Sequence, residues 1–242
     1  MKLVKNAFPI INKLIPENDN VSAFNAIEYD EKIKRTLPYF EEFYKQVIDI
    51  VNIHFGGPVT WLDIGCGTGK MEEVAFISGN IEKIVACDIS EKMIAIVKKR
   101  FEDKNIELIT ASIFDVCTDT KFDVVTAIQV FHYLQREERI EAIRKCYEAL
   151  NPNGIFITFE NFAPYSEPGK CLFLKRWKSF QLSQGKSMEE SNRHIGRYGK
   201  AYFPITISEH LEVFKQCGFV NVEILWVSNM QVGLLGVKSN TL

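Results

Sequence analysis

The sequence predicts an α/β protein whose mostly parallel sheet is covered by helices on both faces. From Val59 onward, short apolar runs alternate with amphipathic helical segments, the pattern of βαβ crossovers. One such strand-to-helix turn carries three glycines, in Asp63-Ile64-Gly65-Cys66-Gly67-Thr68-Gly69. The chain has 242 residues and is 46% apolar, enough to bury a sizeable core.

In order, apolar positions at three- and four-residue steps predict a helix over Tyr29–Phe55, stopped by Gly56-Gly57-Pro58. Strands are predicted at 59–64, 83–87, 106–110, 122–128 and 155–159. Helices are predicted at 68–78, 90–101 and 137–150. The alternation stops after Glu160, and residues 161–204, richer in Lys, Ser and aromatics, read as a helical insertion or lid. A helix over Ser208–Cys217 and strands Val222–Ser228 and Gln231–Val237 follow, the last two able to form an edge hairpin. The expected organisation is a helical cap (1–57), a cofactor-binding core (58–160), the insertion (161–204) and a completing helix and strand pair (205–242).

Charge and composition exclude several classes. With 29 Lys+Arg against 31 Asp+Glu, the formal charge of −2 disfavours bulk nucleic-acid binding, which needs a basic stripe. No run reaches the roughly 18 apolar residues needed to span a bilayer. The start, Met1-Lys2-Leu3-Val4-Lys5-Asn6, does not read as a secretory signal. The six cysteines (Cys66, Cys87, Cys117, Cys146, Cys171, Cys217) are scattered without C-x-x-C pairing, so buried reduced thiols in a cytoplasmic protein are expected. No His/Cys/Asp cluster has metal spacing, and no metal is expected.

The glycine loop carries the strongest chemical signal. Glycines let a backbone turn sharply and let a ligand approach where a Cβ would stand. Asp88 lies 19 residues beyond Gly69, at the end of the next predicted strand, where an acid accepts from the two ribose hydroxyls of an adenosine cofactor. The third glycine arrives one residue earlier than in dinucleotide sites, and Asp63 precedes the first. An ionised Asp63 repels a pyrophosphate but can anchor a cationic amino group, which favours a ligand carrying an ammonium.

On these residues the sequence resembles the class I S-adenosylmethionine-dependent methyltransferases. The resemblance implies a Rossmann-like, doubly wound sheet of seven strands with the last antiparallel, S-adenosylmethionine as cofactor and S-adenosylhomocysteine as product. It also implies that Val59–Gly69, including Cys66, holds the methionine part and that Val85-Ala86-Cys87-Asp88 holds the ribose. Ile89 and Met93 are then expected near the adenine. Ser112 stands where the family often has an Asp for the adenine amino group, with Ile113 covering the ring. Gln129, beside the end of the fourth strand, is a candidate acceptor for the cofactor ammonium. Tyr29-Asp30-Glu31 and Lys34-Arg35-Thr36-Leu37-Pro38-Tyr39 are similar to the N-terminal helix of the carboxy-S-adenosylmethionine synthases and related small-molecule methyltransferases, which adds Tyr29 and Arg35 to the cofactor candidates. In the synthases an Arg of the insertion pairs with the added carboxylate, and Arg193 and Arg197 are the local candidates.

His132 is the first candidate for a general base and Glu160 the second. Arg193, Arg197, Tyr198 and Tyr202 are the substrate candidates. The expected reaction is in-line transfer of a sulfonium methyl group to a small-molecule acceptor. The insertion pools Lys170, Lys175, Arg176, Lys178, Lys186, Arg193, Arg197 and Lys200, which favours an anionic acceptor. A homodimer is the candidate assembly. The competing readings are a carboxy-S-adenosylmethionine synthase-like enzyme, a nicotinamide oxidoreductase and a non-catalytic S-adenosylmethionine-binding protein.

Overall fold

A computed structural model of the chain describes residues 24–116 and 120–240. Cys117 and the Met1–Asn6 stretch, on which two expectations rested, lie outside the described residues.

The described residues open with α1 (Tyr29–Lys34) and α2 (Phe40–His54), two helices where the periodicity predicts one. Pro38 explains the break: it has no N–H to donate and it drives Leu37 away from helical backbone. The chain then turns through Tyr39 at φ 58°. The alternating core follows as β1 (Val59–Ile64), α3 (Lys70–Ser78), β2 (Ile81–Asp88), α4 (Glu91–Arg100), β3 (Ile106–Thr110), β4 (Phe122–Ile128), α5 (Arg136–Ala149) and β5 (Leu150–Asn161). The insertion forms α6 (Glu167–Ser183) and α7 (Met188–Ile195), and α8 (Ile207–Gln216), β6 (Asn221–Ser228) and β7 (Gln231–Val237) close the fold.

The seven strands stand in the order β3-β2-β1-β4-β5-β7-β6. All neighbours are parallel except β7, which runs antiparallel to both β5 and β6. Successive side chains point to opposite faces, so Trp61 and Leu62 enter different cores. Trp61, Ile84, Val124 and Ile157 pack with Phe43 and Val47 of α2, Ala75 of α3 and Val97 of α4. Leu62, Val85, Val125 and Phe156 pack with Ile143 and Cys146 of α5 and Val213 and Phe214 of α8. Each large apolar side chain so buried contributes about 1.5–3 kcal/mol.

This topology places the site. Strand order reverses between β1 and β4, so the loops leaving their carboxyl ends splay apart and open a crevice. The insertion folds back over that edge. Trp177 of α6 is fully buried and donates its indole N–H to Thr36 O at 2.7 Å, and Arg35 donates to Gln184 O and Gly185 O at 2.9 and 2.6 Å. The N-terminal helices and the insertion therefore form one wall. Cys66, Cys87, Cys146 and Cys217 are buried free thiols, but Cys171 is exposed on α6, contrary to the expectation of uniform burial. No helix among the described residues is long and apolar enough to cross a membrane.

Candidate functional site

The glycine loop leaves β1 with Gly65 N and Cys66 N both donating to Cys87 O, at 2.7 and 3.0 Å. Its three glycines all lie in left-handed backbone. Gly65 must be glycine for packing, since a Cβ would stand 2.6 Å from Val130 Cγ2. Gly67 differs: a Cβ there would meet only Tyr29 Cε1, at 4.0 Å. The space above Gly67 is therefore open toward a ligand and roofed by Tyr29. Burial pushes the Tyr29 hydroxyl pKa up, with Tyr133 and Asp88 adding to it, so this phenol lies between the loop and the end of β4. The roof is latched, because Asp30 accepts from Thr68 Oγ1 within the loop and from Arg100 Nη2 at 2.7 Å.

Asp88 closes the loop from the side. Its Oδ2 accepts from Gly67 N at 3.0 Å and its Oδ1 from Ser90 N at 2.8 Å. These N–H bonds hold the carboxylate beside the loop, and a carboxylate is the acceptor that a ribose diol requires. Ile89 is half-buried just past β2, while Met93 in the first turn of α4 and Ile113 after β3 are buried. Ser112 donates its hydroxyl to Asp115 at 2.6 Å. The proton is thereby committed and the oxygen is left as an acceptor, the polarity an adenine amino group requires.

Asp63 is not the isolated carboxylate that the sequence suggests. In register with Thr126 of β4, it is 3% exposed and accepts from the Thr126 hydroxyl, which itself accepts from Trp61 Nε1 at 2.8 Å. Glu72 of α3 is buried alongside it, its carboxyl within hydrogen-bonding reach of Asp63. Burial pushes Asp63 up to about 7, against the lowering by Thr126 and Glu72. Burial and the Asp63 charge raise Glu72 as well. A proton-holding pair of carboxyls thus underlies the glycine loop. Glu72 escaped sequence reasoning because Glu72-Glu73 reads as a solvated first helical turn.

The second half of the site is built at the ends of β4 and β5. Gln129 takes left-handed backbone at φ 61° and donates its amide to Phe159 O at 3.0 Å, which leaves its Oε1 to accept. Glu160, fully within the core, accepts from Phe131 N, His132 N and Thr158 Oγ1 and sits 2.6 Å from His132 Nδ1. Burial opposes its ionisation, yet His132 and the Phe131 N–H hold its pKa below the usual carboxylate range. Since the carboxylate accepts, Nδ1 of His132 carries the proton and Nε2 is the basic nitrogen. Glu160 is thus placed to orient His132, while its own lone pairs are occupied. Arg139 of α5, also fully buried, donates to Phe131 O, Leu134 O and Phe203 O, pinning the turn that carries His132 to the exit of the insertion. Arg139 falls on the helical period of α5 and gives no local signal.

Two cavities meet over these groups. A small one of about 30 Å³ is lined by Tyr29, Gln129, His132, Tyr133, Asn161, His194, Arg197 and Tyr202 among others. A larger one of about 140 Å³ is lined by Lys32, Arg35, Lys186, Glu190, Arg193 and Arg197 with Phe24 and His194. Among the sequence candidates, Arg197 and Tyr202 reach the small cavity, Arg197 lines the larger one as well, and Arg193 lines only the larger one. Tyr198 packs on the Tyr202 ring at 5.8 Å and lies under Lys170, lining neither. Arg35 does not reach the glycine loop, because its guanidinium is spent on the Gln184 and Gly185 carbonyls. Asn161 was missed and Lys186 was read only as one of the insertion's pooled cations, since only the folded insertion brings these residues and His194 to this cleft. Among the described residues no group of three or more His, Cys, Asp or Glu could hold a metal ion.

Comparison with known proteins agrees with this geometry. Residues 62–154 match a family model described as a methyltransferase domain. The carboxy-S-adenosyl-L-methionine synthase of Staphylococcus epidermidis is 22% identical over 214 residues, 88% of this chain and 93% of that protein. That of Trichodesmium erythraeum is 24% identical, covering 90% of this chain and 89% of its own. Among solved structures, the 1,6-didemethyltoxoflavin-N1-methyltransferase of Burkholderia thailandensis, with bound 1,6-didemethyltoxoflavin and S-adenosylhomocysteine, superposes with a TM-score of 0.60 at 14% identity, over 88% of this chain and 84% of that one. The magnesium protoporphyrin IX methyltransferase of Synechocystis, with bound S-adenosylmethionine, gives a TM-score of 0.61 at 14% identity over 98% and 100% of the two chains. The sheet order, the glycine loop with Asp88 and the matched residues converge: residues 62–154 are similar to a methyltransferase domain, and the chain shares its fold with solved S-adenosylmethionine-dependent methyltransferases.

Proposed function

We propose that this protein is an S-adenosylmethionine-dependent methyltransferase acting on a small-molecule acceptor. The observation that carries the reading is the open space above Gly67, flanked by Asp88 and leading to a cavity walled by Gln129 and His132. The Gly65–Gly69 backbone and Gln129 Oε1 would hold the methionine part, Asp88 the ribose, and Ile89, Met93, Ser112 and Ile113 the adenine. The Cys66 side chain packs in the core and the Asp63 carboxyl is taken by Thr126, so we assign neither side chain to the ligand. The cofactor supplies a methyl group already activated on a sulfonium. The protein then has to align donor and acceptor, a contribution worth on the order of 7–11 kcal/mol. His132 Nε2, oriented through Nδ1 by Glu160, takes the proton of an acceptor that must lose one.

Calorimetry with S-adenosylhomocysteine on Asp88→Ala tests the cofactor assignment. Two charge-assisted hydrogen bonds of about 1.5–3 kcal/mol each predict a loss of at least a hundredfold. Unchanged affinity overturns the reading. Acceptor screening across thiols, amines, carboxylates and phenols, following S-adenosylhomocysteine release, tests the activity.

A second reading, a carboxy-S-adenosylmethionine synthase-like enzyme, is favoured by the curated relatives and by Arg197, whose guanidinium borders the reaction cavity where an added carboxylate would sit. Mass analysis of the co-purified nucleoside separates the two.

A further inference from the structure

The larger cavity sets cations against one another. Lys32 of α1 and Arg35 at its end face Lys186, Arg193 and Arg197 of the insertion, and Glu190 is the single acid in the wall among the described residues. That acid is committed to its helix cap, accepting from Ser187 N at 2.8 Å. Three of the cations are balanced along their own helices: Lys32 by Glu28 at 2.7 Å, Arg193 by Glu189 at 2.7 Å and Arg35 by Glu31 at 3.5 Å. Lys186 is different. Its ammonium donates to the Thr36 hydroxyl at 3.0 Å and lies 5.3 Å from the centre of the Phe24 ring, so its contacts are a neutral oxygen and a π face. Burial lowers its pKa to about 8; Glu190 works against this, while Arg35 and Lys32 lower it further. A half-buried lysine crowded by guanidiniums is unfavourable unless an anion arrives, because charge in a desolvated site needs a partner.

The walls are held in place by the protein's own hydrogen bonds. Arg35 is locked on the Gln184 and Gly185 carbonyls, and Thr36 is tied to Trp177. The cavity also opens onto the chemistry, since Phe24, His194 and Arg197 line both it and the reaction cavity. His194 adds no charge there, because burial and the neighbouring Lys186 and Arg197 push it down to about 3.

We infer that this cationic cavity seats an oxyanion of the acceptor, a carboxylate or a phosphate, while the acceptor's nucleophile reaches past Arg197 into the small cavity beside His132. Their sizes suit the division: about 140 Å³ takes a charged head group, and about 30 Å³ takes only the reacting atom and its proton. The inference rests on the methyltransferase reading and names the substrate class of that site.

The experiment uses the full chain saturated with S-adenosylhomocysteine and titrates inorganic phosphate and malonate separately, by calorimetry and thermal shift at low ionic strength. At least one of the two binds, and weakens as salt is added. Preference for phosphate assigns a phosphorylated acceptor, and preference for malonate a carboxylate. Lys186→Met keeps the aliphatic stem and lowers probe affinity at least tenfold, with S-adenosylhomocysteine affinity unchanged. Lys186→Arg retains probe binding within about threefold. Binding of neither anion, or equal loss in Lys186→Met and Lys186→Arg, overturns the inference. Failure of S-adenosylhomocysteine to bind the wild-type protein overturns the methyltransferase reading instead.

Discussion

Replacing Gly67 by Ala separates what the glycine loop does for folding from what it does for a ligand, with Gly65→Ala as its counterpart. Both residues have positive φ, at 56° and 68°, so an added side chain costs about 1–2 kcal/mol in either place. Gly65→Ala also drives a methyl group to 2.6 Å from Val130 Cγ2, an overpacking that adds about 1–3 kcal/mol. Gly67→Ala meets only Tyr29 Cε1 at 4.0 Å and escapes that term. Urea denaturation should therefore show losses of about 2–5 kcal/mol for Gly65→Ala and about 1–2 kcal/mol for Gly67→Ala. Calorimetry with S-adenosylhomocysteine should show a loss for Gly67→Ala of about 5- to 150-fold, the same overpacking now borne by the ligand. Wild-type affinity in Gly67→Ala refutes the cradle. Equal destabilisation of the two variants refutes the assignment of the Val130 clash. Val130→Ala should restore part of the stability of Gly65→Ala and none of that of Gly67→Ala.

Further outcomes follow from the buried charges. Asp63 and Glu72 keep their protons to higher pH in the fold than in the unfolded chain, so the pair's contribution to stability is fully present below about pH 4 and is lost as pH rises toward 7, by roughly 1.4 kcal/mol per unit for each proton held only by the native state. Glu72→Leu should flatten that slope in denaturation series from pH 4 to 8, and an unchanged slope contradicts the pairing. Glu160 shifts the opposite way, so its stabilisation is present above its unfolded pKa and is lost as pH falls through the lower native one. Glu160→Ala removes the carboxylate that His132 and two N–H groups share and should cost about 3–5 kcal/mol by thermal or chemical denaturation, the penalty of breaking a buried pair. His132→Asn should lower kcat with an acceptor that must be deprotonated and leave S-adenosylhomocysteine affinity within about twofold; equal kcat across pH removes His132 from proton transfer.

Sequence reading went furthest where the information is local. The turn after β1 and the acid after β2 are fixed by short-range spacing, and both stand where that spacing put them, with Asp88 bonded back to Gly67. Strand β7 was placed to the residue because Gln231–Val237 is bounded by turn residues and buried along nearly all its length. The split of the first helix was missed although Pro38 marks it, because the apolar period runs on across the break. Glu72 was missed because burial on α3 depends on where the helix lands against β1, which no period within the helix reports. The cationic cavity was visible only as an excess of lysine and arginine in the insertion. Its geometry needs α1, about 150 residues away in the chain, and contacts at that separation leave no local trace.

That same distance bears on how acceptor specificity can change. The bonds from Arg35 to Gln184 and Gly185, from Trp177 to Thr36, and from Lys186 to Thr36 join two stretches of chain that sequence boundaries would treat as separate modules. Transplanting residues 161–204 alone between relatives strands the Gln184 and Gly185 carbonyls without the Arg35 guanidinium and Lys186 without the Thr36 hydroxyl. Only an exchange that carries residues 29–39 along with the insertion transfers a complete wall, so the heritable unit of substrate choice is discontinuous.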